Sequence, residues 1–221
     1  MIRFLMLLIF AALAFIAYAW YSAQSLPDWY QADQSREQQA SQALADQIKQ
    51  QGVGKFLGGK FADVMNGKLV LSEPEFNALF QASLRSSRDG RLLLQVSDAI
   101  HTEITDDGIE LGVIVSLDKV SKLDARTRKR VEDALEVLPL LEGSRIFLAV
   151  KGQPIARDGN LAIDDDFSVR IGAIPFSNAL LKQMGVPVER VAKNSLPINL
   201  LSIKSVSTSE GEITFGVTPR F

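Results

Sequence analysis

From Ile109 to Leu117 apolar side chains occupy every second position, Ile109, Leu111, Val113, Val115 and Leu117, with Glu110, Gly112 and Ser116 between them. A period of two is that of a β-strand with one face buried. Ile114 departs from it, standing on the polar side. Asp106-Asp107-Gly108 immediately before the run is a hairpin turn, so Ala99–Ile104 is the expected partner strand. The same pattern recurs twice. Ile146, Leu148 and Val150 alternate, Arg157-Asp158-Gly159-Asn160 supplies a turn, and Phe167, Val169, Ile171 and Ala173 alternate on the return. Leu201 and Ile203 precede a turn at Ser209-Glu210-Gly211, and Ile213, Phe215 and Val217 follow it.

Other stretches carry the helical period. Lys68–Leu71 reads as a short strand running into Ser72-Glu73-Pro74-Glu75. Ser72 can cap a helix, Glu75 can return the capping-box bond, and a proline in the first turn sacrifices no hydrogen bond. Phe76, Leu79, Phe80 and Leu84 then mark one apolar face. Asp124–Leu141 places Val131, Ala134, Leu135 and Leu138 on another. Ser177–Met184 predicts a short helix that stops at Gly185. From Gln31 to Gln51 the chain is rich in Gln and Ala, with a thin stripe at Leu44 and Ile48, which fits a polar stalk or outer helix. Gly52, Gly54, Gly58 and Gly59 interrupt it.

The first twenty residues differ from all of this. Phe4–Trp20 is 17 residues without a charge. At about 1.5 Å per residue they span roughly 25 Å, just short of a hydrocarbon core of about 30 Å, and extension to Ala23 closes the gap. Trp20 and Tyr21 stand where an interfacial aromatic belt belongs, and Arg3 predicts a cytoplasmic N-terminus. A cleavable signal peptide is the rival, because Ala17-Tyr18-Ala19 has the small-x-small pattern of a cleavage site. Both readings put the remainder outside the cytoplasm. The expected organisation is an anchor over 1–23, a juxtamembrane stalk or linker over 24–59, and an extracytoplasmic domain over 60–221.

Neighbouring strands joined by tight turns predict an antiparallel sheet with helices against one face, an α+β domain. Gly112, Gly152 and Gly172 inside strands are bend signals. They predict a strongly curved sheet, able to enclose an apolar trough. With 221 residues, 47% of them hydrophobic, the chain can build a core without disulfides, and it has no cysteine. That absence excludes thiol catalysis, cysteine zinc sites and a lipoprotein anchor. A net charge of −2, from 24 basic and 26 acidic residues, shows no basic stripe of the kind phosphate backbones require, so nucleic acid is not an expected partner.

Motifs of chemistry are weak. Gly54–Lys60, GKFLGGK, fits the spacing of a phosphate loop, but Phe61 stands where Ser or Thr would bind magnesium. His101 is the only histidine and sits in a predicted strand, without evident partners for a triad or a metal. Asp164-Asp165-Asp166 lacks calcium-loop spacing and reads as a turn. No catalytic residue, metal site or cofactor is expected. The apolar stripes serve a core or line a lipid groove, since both demand the same surfaces.

The order of parts resembles a known pattern. A signal anchor and a polar segment lead to a strand and the helix opening LSEPEFNALF (Leu71–Phe80), with Asn77 at its polar position. Alternating strands follow, then IGAIPFSNALL and a final hairpin. This is similar to small bacterial membrane-anchored proteins of the YpmS-like type and to the tubular lipid-binding (TULIP, BPI-like) fold. The resemblance covers about residues 60–221. It implies a hydrophobic groove for a phospholipid or acyl chain, with no catalytic centre. The residues expected to line it are Phe76, Leu79, Phe80, Leu135, Leu138 and Phe176. The polar segment 31–51 has no counterpart in that pattern. The expected function is a non-catalytic lipid-binding or lipid-handling module of the cell envelope, held in the inner membrane and facing the periplasm. The alternative is a structural or regulatory subunit of an inner-membrane complex, acting through a protein partner.

Overall fold

The computed structural model describes residues 22, 25–31, 36–125, 128–129, 145–183 and 201–219. A short turn of helix, α1 (Asp28–Gln31), precedes α2 (Arg36–Gln51), α3 (Val53–Gly58) and α4 (Phe61–Met65). Strand β1 (Lys68–Ser72) feeds α5 (Glu73–Ser86), followed by α6 (Arg88–Val96). Then come β2 (Ser97–Thr105), β3 (Gly108–Ser116) and a 3-10 helix (Leu117–Lys122). The remainder is β4 (Arg145–Gly152), β5 (Pro154–Arg157), β6 (Asn160–Ile163), β7 (Ser168–Ile171), β8 (Ile174–Ser177), α7 (Asn178–Gln183), β9 (Leu201–Ser209) and β10 (Glu212–Pro219). The molecule is thus a mixed α+β fold, and every strand pair is antiparallel.

Among the described residues no helix is long and apolar enough to cross a membrane. The expected anchor, apart from Ser22, lies outside the described residues. So does the stripe Val131, Ala134, Leu135 and Leu138.

The start of α5 forms as its sequence requires. The Glu75 carboxylate accepts from the Ser72 backbone N–H at 2.9 Å and from the Ser72 hydroxyl at 3.2 Å. These bonds occupy donors that a helix start leaves open. Lys60 donates to the same Glu75 oxygen and to the Val70 carbonyl, both at 2.8 Å.

The strands do not join into one curved sheet. They divide into a three-stranded sheet β1-β10-β9, a five-stranded sheet β2-β3-β4-β7-β8 and a two-stranded ribbon β5-β6. The break after β4 has a local cause: Pro154 carries no N–H with which to extend the ladder. The turn at Asp158-Gly159 therefore closes the β5–β6 ribbon, while β4 and β7 pair across its base. The other two expected hairpins, β2–β3 and β9–β10, form through their expected turns.

The main core lies between the three-stranded sheet and the helices. Leu69, Leu71, Ile213 and Phe215 are fully buried there with Phe76 and Ala78. Segment 36–51, within the stretch read as a stalk or outer helix, packs into this core through Ala45 and Ile48, so α2 is part of the folded domain. Its small alanine allows close approach to α5. Ile104 and Ile109, at one end of the five-stranded sheet, reach the same core. Glu73 and Gly211 clamp the junction. The Ile104 N–H donates to Glu73 Oε2 at 2.9 Å, and the Gly211 N–H to the Ile104 carbonyl at 3.0 Å.

Candidate functional site

Antiparallel partners share a sheet face, so the register of the five-stranded sheet sorts its side chains. Ile100, Val113, Leu148, Ile171 and Ile174 fall in one row. Thr102, Leu111, Val150, Val169 and Phe176 form the next row on the same face. Val115 and Ile146 extend it towards the end where β4 begins. Apart from Thr102 these positions are all apolar. Helix α5 covers the β2 side. The Thr102 hydroxyl donates to Asn77 Oδ1 and Asn77 Nδ2 donates to the Ile100 carbonyl, each at 3.4 Å. At the β8 end of the second row, Phe176, Val150 and Val169 pack around buried Phe167 and Leu181. Between them Val113, Leu148, Ile171 and Ile174 are only half-buried. This is an apolar strip across four strands.

The opposite face has another character. Ala99, Ile114, Phe147 and Ala149 make a small apolar floor, covered by Leu26, Trp29 and Tyr30 of the N-terminal segment. Trp29 stacks on His101 with ring centroids 4.5 Å apart and meets the Phe147 ring edge-on at 6.0 Å. Gly112 makes room for this packing, because a β-carbon there would lie 2.6 Å from Phe147 Cε2. The Arg170 guanidinium sits 5.4 Å over the Phe147 ring and donates to both Glu110 oxygens at 3.0 Å. The Ala173 N–H donates to the Ser22 carbonyl at 2.7 Å, tying the segment to the β7–β8 turn.

A third feature is a cleft of about 340 Å³ lined by Asp46, Gln81, Arg85, Leu94, Ser97, Asp98, Ala99 and Ile100. Its charges are engaged. Arg85 pairs with Asp46 at 3.5 Å, and Asp98 receives Lys119 at 2.7 Å and Arg145 at 2.6 Å. Burial pushes the Asp98 carboxyl up, but the hydrogen bonds from Lys119 and Arg145 outweigh it and hold it below the usual carboxylate range.

Of the expected groove residues, three share the main core and one lies in another cluster. Phe76 and Leu79 are 0% and 1% exposed in the main core. Phe80 is half-buried against that core. Phe176 belongs to the separate cluster around Phe167. Leu135 and Leu138 lie outside the described residues. Val113, Leu148 and Ile171 stood in the expected alternation, but Ile174 did not: the alternation ran on to Ala173, which stands in the turn between β7 and β8.

The phosphate-loop spacing at 54–60 falls on α3 and the turn after it, and Lys60 is committed to Glu75. The Asp165 N–H donates to Asp164 Oδ1 at 2.6 Å, a turn contact. Among the described residues no group of three His, Cys, Asp or Glu side chains is placed to hold a metal ion. Compared with models of known protein families and with curated protein sequences, the chain matches none.

Proposed function

We propose that this protein is a membrane-anchored, extracytoplasmic module of the cell envelope that holds the acyl chain of a lipid without chemical conversion. The observation that carries this reading is the half-buried strip Val113–Leu148–Ile171–Ile174. Three steps between neighbouring strands give it a length of about 14 Å. It offers apolar contact and no polar group. Each methylene removed from water there gains about 0.8 kcal/mol. The anchor expected over 1–23 keeps the strip beside a lipid source, and the resemblance to YpmS-like and TULIP proteins points the same way.

The test is a photo-reactive benzophenone amino acid at Leu148 in the full chain, expressed and irradiated in bacteria. Lys151, on the opposite face of the same strand, is the control. The expected result is an adduct of lipid mass at Leu148 and none at Lys151. A protein adduct at Leu148 would instead favour the subunit reading. Adducts at neither position would remove the lipid reading.

A further inference from the structure

We infer that the end of the five-stranded sheet formed by the β7–β8 turn, the start of β4 and the 3-10 helix rests on the anionic headgroups of the membrane that holds the N-terminal segment. This inference rests on the anchor proposed above and adds an orientation to it. Two independent observations converge on that end.

The first is where the chain emerges. Ser22 falls within the stretch expected to reach the outer membrane interface, and its carbonyl accepts from the Ala173 N–H at 2.7 Å. With the anchor expected over 1–23, Ser22 stands within its last two residues. At about 3.5 Å per extended residue the turn lies within roughly 10 Å of the interface. Leu26, Trp29 and Tyr30 then press the following segment onto the sheet, so the attachment is a fixed strap.

The second is the charge pattern along the sheet. The Gly172 N–H bonds to the Phe147 carbonyl, which sets the β7–β8 turn two residues along β4 from Arg145. Arg145 pairs in register with Ser116, and the 3-10 helix continues from there with Lys119 and Lys122. Lys119 and Arg145 share the carboxylate of Asp98, and Asp118 also acts on Arg145. Lys122 and Lys129 are exposed.

The far end of the sheet is acidic. Asp106 and Asp107 form the β2–β3 turn there, and Gln153 Nε2 donates to the Asp107 carbonyl. The Asp164 N–H donates to the Gln153 carbonyl, bringing Asp164, Asp165 and Asp166 to the same end. The two ends are about 27 Å apart, nine residues of strand. A basic end next to the anchor and an acidic end away from it orient the domain on an anionic surface.

The experiment uses the full chain in nanodiscs. Since the sequence has no cysteine, single cysteines at Ser121, Ala173 and Asp107 each carry one bimane label, and a nitroxide-headgroup lipid quenches it. Strong quenching is expected at Ser121 and Ala173, and little at Asp107. Lys122→Glu with Lys129→Glu, or a purely zwitterionic disc, should weaken quenching at Ser121. Each cation removed is expected to change the ratio of docked to undocked protein about fivefold.

Equal quenching at all three sites would overturn the orientation. Quenching at Ser121 that ignores anionic lipid would overturn the headgroup contact. Protein that fails to stay with the discs would overturn the anchor and this inference with it. Lipid adducts at Leu148 without quenching at Ser121 and Ala173 would leave the acyl-chain reading standing and remove this one alone.

Discussion

Arg170→Met tests whether the pair on the strapped face is structural. The Glu110 side chain is 9% exposed and that of Arg170 is 34% exposed, with 3.0 Å between them. At that distance an effective dielectric of about 20 gives an attraction of roughly 5 kcal/mol, and removing the carboxylate from water returns several kcal/mol. The intact pair is therefore worth only about 1–2 kcal/mol. Methionine keeps the aliphatic stem over Phe147 but leaves Glu110 buried without its cation, an expected loss of about 2–4 kcal/mol. Glu110→Gln leaves a cation that can turn to water, and should cost about 1 kcal/mol. The double variant should resemble Glu110→Gln alone, so the cycle shows a coupling of about 2–4 kcal/mol. The assay is urea unfolding of the full chain in micelles, followed by circular dichroism. With a slope near 2 kcal/mol per molar, the single Arg170 variant moves the midpoint by about 1–2 M. An Arg170→Met loss below about 0.5 kcal/mol, or additive single losses, would refute the reasoning and place the pair among ordinary surface contacts.

Gly112→Ala puts a β-carbon 2.6 Å from Phe147 Cε2. It should cost about 1–3 kcal/mol in urea unfolding and red-shift Trp29 emission in a Trp20→Phe background; unchanged emission would mean the ring yields without loosening the strap. Glu75→Gln weakens the bonds from Lys60 and Ser72 and should lower stability by about 1–2 kcal/mol, read as a thermal midpoint; no change would mean solvent replaces them. In the Glu75 carboxyl, burial raises the pKa and Lys60 and Ser72 lower it by more, to below the ordinary 4.5; the Asp98 carboxyl likewise lies below its ordinary 3.8. A pKa depressed by folding stabilises the fold above the unfolded value, and that stabilisation is lost as pH falls through the folded value. Urea midpoints should therefore fall from about pH 4.5 downward. Asp98→Asn should be weaker than the parent at pH 7 but lose less on acidification; an unchanged acid slope would remove Asp98 from the account.

What the sequence reveals depends on how local the cause is. The β2–β3 hairpin follows from the alternation at Ile109–Leu117 and from Asp106-Asp107-Gly108. The start of α5 follows from Ser72, Pro74 and Glu75. Both are settled within a few residues. Helix α6 was not legible, because Ser86-Ser87-Arg88-Asp89-Gly90 has the composition of a turn. In the fold Ser87 caps it, accepting from the Gly90 N–H at 2.9 Å. Gly90 passes so close to the Leu84 carbonyl that a β-carbon would clash. The fate of α2 turned on Ala45 and Ile48, a stripe too thin to distinguish a stalk from a packed helix. The strap was hidden because Leu26, Trp29 and Tyr30 find their partners far along the chain, on Ala99, Ile114 and Phe147. Three of the strip residues were legible in the alternation, but Ile174, beyond the turn between β7 and β8, was not.

The strip and the strap together dictate a direction of loading. One face of the sheet is occupied by the strap, so on the proposed function the acyl chain lies on the other face. Along the row, Ile100 is 7% exposed beneath α5, whereas Val113, Leu148, Ile171 and Ile174 remain half-buried. Ile174 stands on β8, the last strand of the sheet, directly after the turn tied to Ser22. If both proposals hold, a lipid tail leaving the membrane meets Ile174 first and α5 last. Benzophenone substitutions along the row should give lipid adducts in the order Ile174, Leu148, Val113, with the yield falling towards β2. The quantity to measure is the adduct fraction at a fixed irradiation time, normalised to protein. A flat profile would mean that the tail settles along the whole strip without an end of approach. A reversed profile would mean that it comes in beside α5, and the strap would then have no part in loading.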